Sequence, residues 1–208
     1  MKKIQPFKTA RNALASLDNG GRFYNILTKA KDGQISTAEL SKAAGVFTDR
    51  QVMVLFFEMS LMELKEHSRN NIINTLSQNL KTAYEKYKPG HYSPVDAGKK
   101  GQLNNNAIVS GIPVHIDSKT QFTGFIMIPI QAGKVTTFTM VPIFEQYEVY
   151  ELKDEESSRE FIIAHTKGSS KLPRQPVRCG GVIKELNKEK KGSGSKGIFL
   201  ETLYYTPL

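Results

Sequence analysis

A chain of 208 residues that is 39% hydrophobic can bury one large core or two small ones, and two suit it better. Its spread of aromatic residues excludes a disordered polypeptide, and the absence of tryptophan leaves no obvious stacking platform. The lone Cys179 excludes an internal disulfide, MKKIQPF has no apolar leader core, and the longest apolar run, Val52 to Phe57, stops at Glu58, far short of the ~20 residues that span a bilayer. A cytoplasmic protein without a membrane segment and without a cofactor is therefore expected. The formal charge of +9 favours an anionic partner or a strongly solvated surface.

Residues 1–90 read as a helical domain of at least four segments, broken at Asn19, Gly20 and Gly21 and again at Asp32 and Gly33. The stretch KDGQISTAEL resembles the second half of an EF-hand calcium loop: Asp32 stands before the turn glycine Gly33, Ile35 at the bridge position, Ser36 and Glu39 at the last ligand positions. The first half fails, because Thr28 and Ala30 occupy the opening ligand positions, so calcium binding is not expected and no metal site is assigned. The longer stretch ISTAELSKAAGVFTDRQVMVL resembles a helix-turn-helix unit, with Thr37 to Ala44 as first helix and Gly45-Val46 as turn. The next helix would begin at a capping box formed by Thr48 and Gln51. It offers only Arg50 and Gln51 to a nucleic acid before becoming apolar on every side, so DNA reading is not expected of it.

That apolar helix, Val52 to Leu64, must be enclosed, and a face left uncovered by its own domain is a candidate contact surface. A final helix is expected to carry Ile72, Ile73, Leu76, Leu80, Ala83, Tyr84 and Tyr87 on one face and to end at Pro89-Gly90. Residues 91–106, rich in Ser, Pro, Gly, Lys and Asn, read as a linker.

Residues 107–208 read as an antiparallel β domain, a barrel or a sandwich. Its strands are expected at Ile112 to Ile116, Phe122 to Ile130, Val135 to Ile143, Tyr147 to Leu152, Phe161 to His165, Val177 to Leu186 and Ile198 to Tyr205. The segments VRCGGVIKELN and GIFLETLYY, separated by a basic loop, resemble two neighbouring strands of an OB-fold, which implies an oligonucleotide-binding surface with Tyr204 or Tyr205 as a stacking ring. The fold class is thus α+β, with a helix-turn-helix-like or degenerate EF-hand-like bundle before an OB-like barrel or a sandwich.

Charge divides the second half. Glu145 to Glu160 holds seven acids against Lys153 and Arg159, whereas His165 to Lys196 holds nine cations against Glu185 and Glu189. Those cations, Lys167, Lys171, Arg174, Arg178, Lys184, Lys188, Lys190, Lys191 and Lys196, form the candidate polyanion site. The loop Asn187 to Gly197 is the most basic short segment and is expected to be a long, mobile hairpin connection.

Catalytic patterns are thin. Cys179 with His165 could make a thiolate pair, but a single cysteine in an apolar strand is ordinarily buried and inert. His67, His91 and His115 lack zinc spacing, and Gly180-Gly181 and GSGSKG lack the strand-then-helix context of a phosphate cradle. The sequence therefore reads as a non-catalytic binding or assembly protein. Its expected partner is another protein or a second copy, with nucleic acid as the alternative.

Overall fold

A computed structural model describes residues 1–20, 29–116, 124–132, 135–154, 160–188 and 195–208, with the backbone alone at 132, 188, 195 and 196. The fold is mixed α+β, in two units: Ile4–Pro89, and Met1–Lys3 together with Gly90–Leu208. Among the described residues no helix is long and apolar enough to cross a membrane.

The first unit holds α1 (Ala10–Leu17), α2 (Thr37–Ala44), α3 (Arg50–Leu61), α4 (Glu66–Asn74) and α5 (Gln78–Tyr87). The capping box lies at α2. Ser36 and Glu39 satisfy each other's backbone donors, and Gly45 closes the helix in the left-handed conformation at φ 68°. Helix α3 starts one residue later than the Thr48–Gln51 pattern predicts, because the Asp49 carboxylate accepts the Val52 N–H at 3.0 Å. Met53, Phe57 and Leu61 of α3 join Leu17, Leu40, Ile72 and Leu80 in one core, and Val54, Leu55 and Met59 are buried as well.

The single last helix is corrected to two. Ile35 donates to the Thr75 carbonyl at 2.9 Å and accepts from Ser77 N–H at 2.9 Å, which takes those backbone groups out of helical bonding. The same Ile35 is the residue that the EF-hand pattern places at its bridge.

The second unit contains β1 (Lys2–Lys3), β2 (Gly90–Tyr92), α6 (Pro94–Lys100), β3 (Asn106–His115), β4 (Phe125–Ala132), β5 (Val135–Pro142), α7 (Ile143–Gln146), β6 (Tyr147–Lys153), β7 (Glu160–Thr166), β8 (Val177–Lys188) and β9 (Ser195–Pro207). Residues 91–106 are therefore no linker. β2 pairs in parallel with the start of β3, and α6 buries Ala97 in the core of this unit. Ser93 accepting the Asp96 N–H, followed by Pro94 at the first helical position, is what starts α6.

Among the described residues the strands form one nine-stranded sheet, not the two layers of a sandwich. Pairing is mostly antiparallel, but β1–β9, β2–β3 and β7–β9 are parallel, against the purely antiparallel expectation. Pairings lead from β3 through β6, β7, β9 and β8 back to β3. The β7–β9 seam is only two register pairs long, so the sheet curls strongly without being a closed barrel. Two core clusters fill it, one around Tyr150, Ile163 and Leu200, the other around Ile126, Ile143 and Phe199. Gly180-Gly181 marks a register shift against β9, and a Cβ at Gly181 would collide with the Glu201 carbonyl.

The expected loop Asn187 to Gly197 is shorter than its composition suggests. Asn187 pairs with Lys196 and Lys188 with Ser195, so both ends are strand, and the remainder, 189–194, lies outside the described residues.

Candidate functional site

The most unusual feature of the second unit is the hairpin of β4 and β5. Its sequences, FIMIPIQA and VTTFTMVP, hold no ionisable side chain in a chain that is 24% charged. Eight register pairs join the two strands, from Phe125↔Pro142 to Ala132↔Val135, without a shift. Among the described residues β4 is tied to the rest of the sheet by one pair, Phe125↔Asn187, and beyond this base the hairpin leaves the sheet as a two-stranded arm. The base is anchored. Ile126 is buried among Ile143, Leu186 and Phe199, Ile128 and Val141 pack beside it, and Ile143 N–H donates to the Gly124 carbonyl at 2.9 Å.

Farther out the arm is exposed. Met127 is 44% exposed, Ile130 45%, Met140 55%, Phe138 60% and Val135 67%. Paired residues of an antiparallel ladder project to the same side. Met127↔Met140 and Pro129↔Phe138 therefore make one contiguous apolar face.

Where β4 leaves β8, a groove of about 530 Å³ opens between the arm and the sheet. Met127, Pro129 and Phe138 form one wall, and Tyr147, Lys184, Phe199 and Glu201 belong to the other side. The polar groups there answer one another: Tyr147 Oη donates to Glu201 Oε1 at 2.9 Å, and Lys184 Nζ lies 4.0 Å from Glu201 Oε2. Burial first, and then the Glu201 carboxylate, push the Tyr147 hydroxyl well above the usual phenol range, so it remains a donor. With Glu185 also on the lining, the groove sets two carboxylates against one ammonium.

That balance bears on the sequence-predicted cations. Lys184 lies in the groove beside Glu201. Lys167, Lys171 and Arg174 are exposed on the connection between β7 and β8, and half-buried Arg178 sits in β8 opposite Ser110 and Thr206. Lys188 and Lys196 lie at the far end of the β8–β9 ladder, about 33 Å from Arg178 at ~3.3 Å per residue. Lys190 and Lys191 lie outside the described residues. The structure thus spreads the seven described cations over two ends of β8 and one acidic groove.

The proposed thiolate pair is not assembled. Cys179 is fully buried, which pushes its thiol far up and keeps it protonated. The ring of His165, also buried, turns instead to Thr166 O (3.1 Å from Nδ1) and Tyr150 Oη (3.4 Å from Nε2). A carbonyl can only accept, so Nδ1 carries the proton and Nε2 takes the Tyr150 hydroxyl, while Tyr150 Oη accepts the Leu172 N–H at 3.2 Å. Desolvation holds His165 below the usual imidazole range. Beside it, His115 Nε2 bonds Glu148 Oε2 at 2.7 Å and holds that carboxyl low.

In the first unit, the residues that resemble calcium ligands already have partners. Glu39 accepts from Gly20 N at 2.6 Å and from Ser36 N and Oγ at 2.8 Å each. Asp18, which the pattern overlooks, accepts from Asp32 N and Gly33 N, and Lys42 Nζ donates to the Asn19 and Gly20 carbonyls. Among the described residues no cluster of His, Cys, Asp and Glu is placed to hold a metal. No protein-family model matches the chain, and no curated protein matches its sequence.

Proposed function

We propose that this chain is a non-catalytic binding or assembly protein that works through protein–protein contacts made by the β4–β5 arm. One observation carries the reading: a hairpin whose two strands hold no charge, anchored at its base, that exposes Met127, Phe138 and Met140 on one face. Water-soluble chains rarely leave such a patch open, and methionine and aromatic side chains are enriched where proteins meet. A photo-crosslinking residue placed at Phe138 in cells tests this. A discrete protein adduct at 138, absent when the probe stands at Lys86 of α5, supports the reading; no adduct at 138 overturns it.

A second reading, nucleic-acid binding, has its own support in exposed Lys167, Lys171 and Arg174 and in the β3–β6–β7–β9–β8 order of pairing, which resembles an OB-fold. The carboxylates of the groove weigh against a polyanion seated there. Titration of an oligonucleotide at rising salt separates the two: steep loss of affinity favours nucleic acid, and no binding at low salt removes it.

A further inference from the structure

Natural sheets blunt their edges with lysine, proline, bulges or very short strands. The two outer edges of the arm differ in this respect. Pro129 of β4 has no N–H to give, so its pair with Phe138 is of the kind in which both residues turn their backbone groups away from each other. Pro129 thereby interrupts the donors along the outer edge of β4. By the same alternation Thr136, Phe138 and Met140 direct their N–H and C=O groups to the outer edge of β5, whose one proline, Pro142, stands at the last position of the strand. Among the described residues β5 pairs with β4 alone. It has no charge, no bulge and no glycine, and Val135, Thr136, Thr137, Thr139 and Val141 are β-branched.

We propose that the occupant of this edge is a second copy of the chain, joined β5 to β5 in antiparallel fashion about a two-fold axis at Phe138. The proposal rests on the reading of the arm as a contact surface and names its partner. With Phe138 opposite Phe138, Thr136 of each copy meets Met140 of the other, so Thr136, Phe138 and Met140 of both strands exchange their N–H···O bonds. The arrangement also places the apolar faces of the two arms side by side. Charge selects this edge: copies carrying +9 each repel over most orientations, whereas no register of VTTFTMVP against itself brings two charges together. An acidic or basic peptide would find no opposite charge along this strand.

Sedimentation of the full chain over a dilution series, with single cysteines as register markers, tests the proposal; Cys179 is buried and does not compete. The expected results are a concentration-dependent dimer, a covalent dimer of Phe138→Cys on mild oxidation, none for Met140→Cys, and one again when Thr136→Cys and Met140→Cys are combined. Two copies of position 140 would stand about 13 Å apart, beyond the reach of a disulfide. Phe138→Pro, which costs no bond to β4, should give a monomer whose melting temperature matches that of the dilute wild-type chain. If it unfolds, Phe138→Lys supplies the same loss of dimer through repulsion at the axis. A wild-type chain that stays monomeric throughout, or Met140→Cys linking as readily as Phe138→Cys, overturns self-pairing. In that event an adduct at 138 in cells still stands for the broader reading, and its absence removes both.

Discussion

Helix α3 and the β4–β5 arm are the two most apolar stretches of the molecule, and they meet opposite fates. In α3, eight of twelve residues are buried, Glu58 among them, and the Tyr84 hydroxyl donates to the Glu58 carboxylate at 2.9 Å. In the arm, the base is buried and the outer residues of both strands face solvent. The sequence reading looks for a contact surface on the helix, since a helix apolar all round must be covered by something. Composition identifies what needs covering. Whether neighbours exist to cover it is a property of topology, and among the described residues β5 ends the sheet.

The largest effect that would break this contrast is expected in α3. Phe57 is buried and meets Tyr84 edge-on at 6.0 Å between centroids. Phe57→Ala should lower stability by about 3–5 kcal/mol in chemical denaturation, through lost transfer energy and the cavity left behind. A cost below about 1 kcal/mol would mean that α3 is not a packed core element.

Glu39 gives the next effect. Its carboxylate is buried and serves Gly20 and Ser36, so Glu39→Ala leaves those donors unmet and should cost about 1–3 kcal/mol. Calcium should not raise the melting temperature of the wild type, because binding would have to displace these bonds. A rise on adding calcium that Glu39→Gln abolishes would restore the EF-hand reading.

The same segment shows what was legible. In KDGQISTAEL, Ser36 and Glu39 match EF-hand ligand positions, yet their chemistry is that of a helix start, and the capping box expected at Thr48 lies twelve residues earlier. Residues 91–106 read as a linker because Gly and Lys outweigh Ser93-Pro94, the local signal of a helix start. Strands Tyr147–Lys153, Glu160–Thr166 and Val177–Lys188 fall close to where alternation and β-branching put them. The parallel β7–β9 seam and the exposure of the arm were not legible. Both depend on which distant strand lies alongside, and no periodicity of a single strand encodes that.

A smaller effect, confined to the β unit, comes from acid. His165 is held neutral by burial, so its folded pKa is below the unfolded value of about 6.5 and the unfolded chain binds more protons in that window. Stability should therefore fall as pH drops below about 6.5. Glu148, held low by His115, contributes stability above the usual carboxylate range and loses it as pH falls through its depressed value. Both shifts act in the same direction. His165→Gln should flatten the first part of the decline, measured as melting temperature against pH, and an unchanged slope would exclude His165 as its source.

The smallest effect on stability is expected in the arm. Joint substitution of Met127, Phe138 and Met140 by serine removes three large side chains that are each at least 44% exposed, and leaves Ile126, Ile128 and Val141 to hold the base. Surface changes of this kind lie within about ±0.5 kcal/mol apiece, so the melting temperature of dilute protein should barely move. Solubility should rise, and any self-association should weaken, because the apolar face is gone while the β5 edge remains. A collapse of stability would show that Phe138 packs over the groove as core, and the arm would then resemble α3 in function as well as in composition.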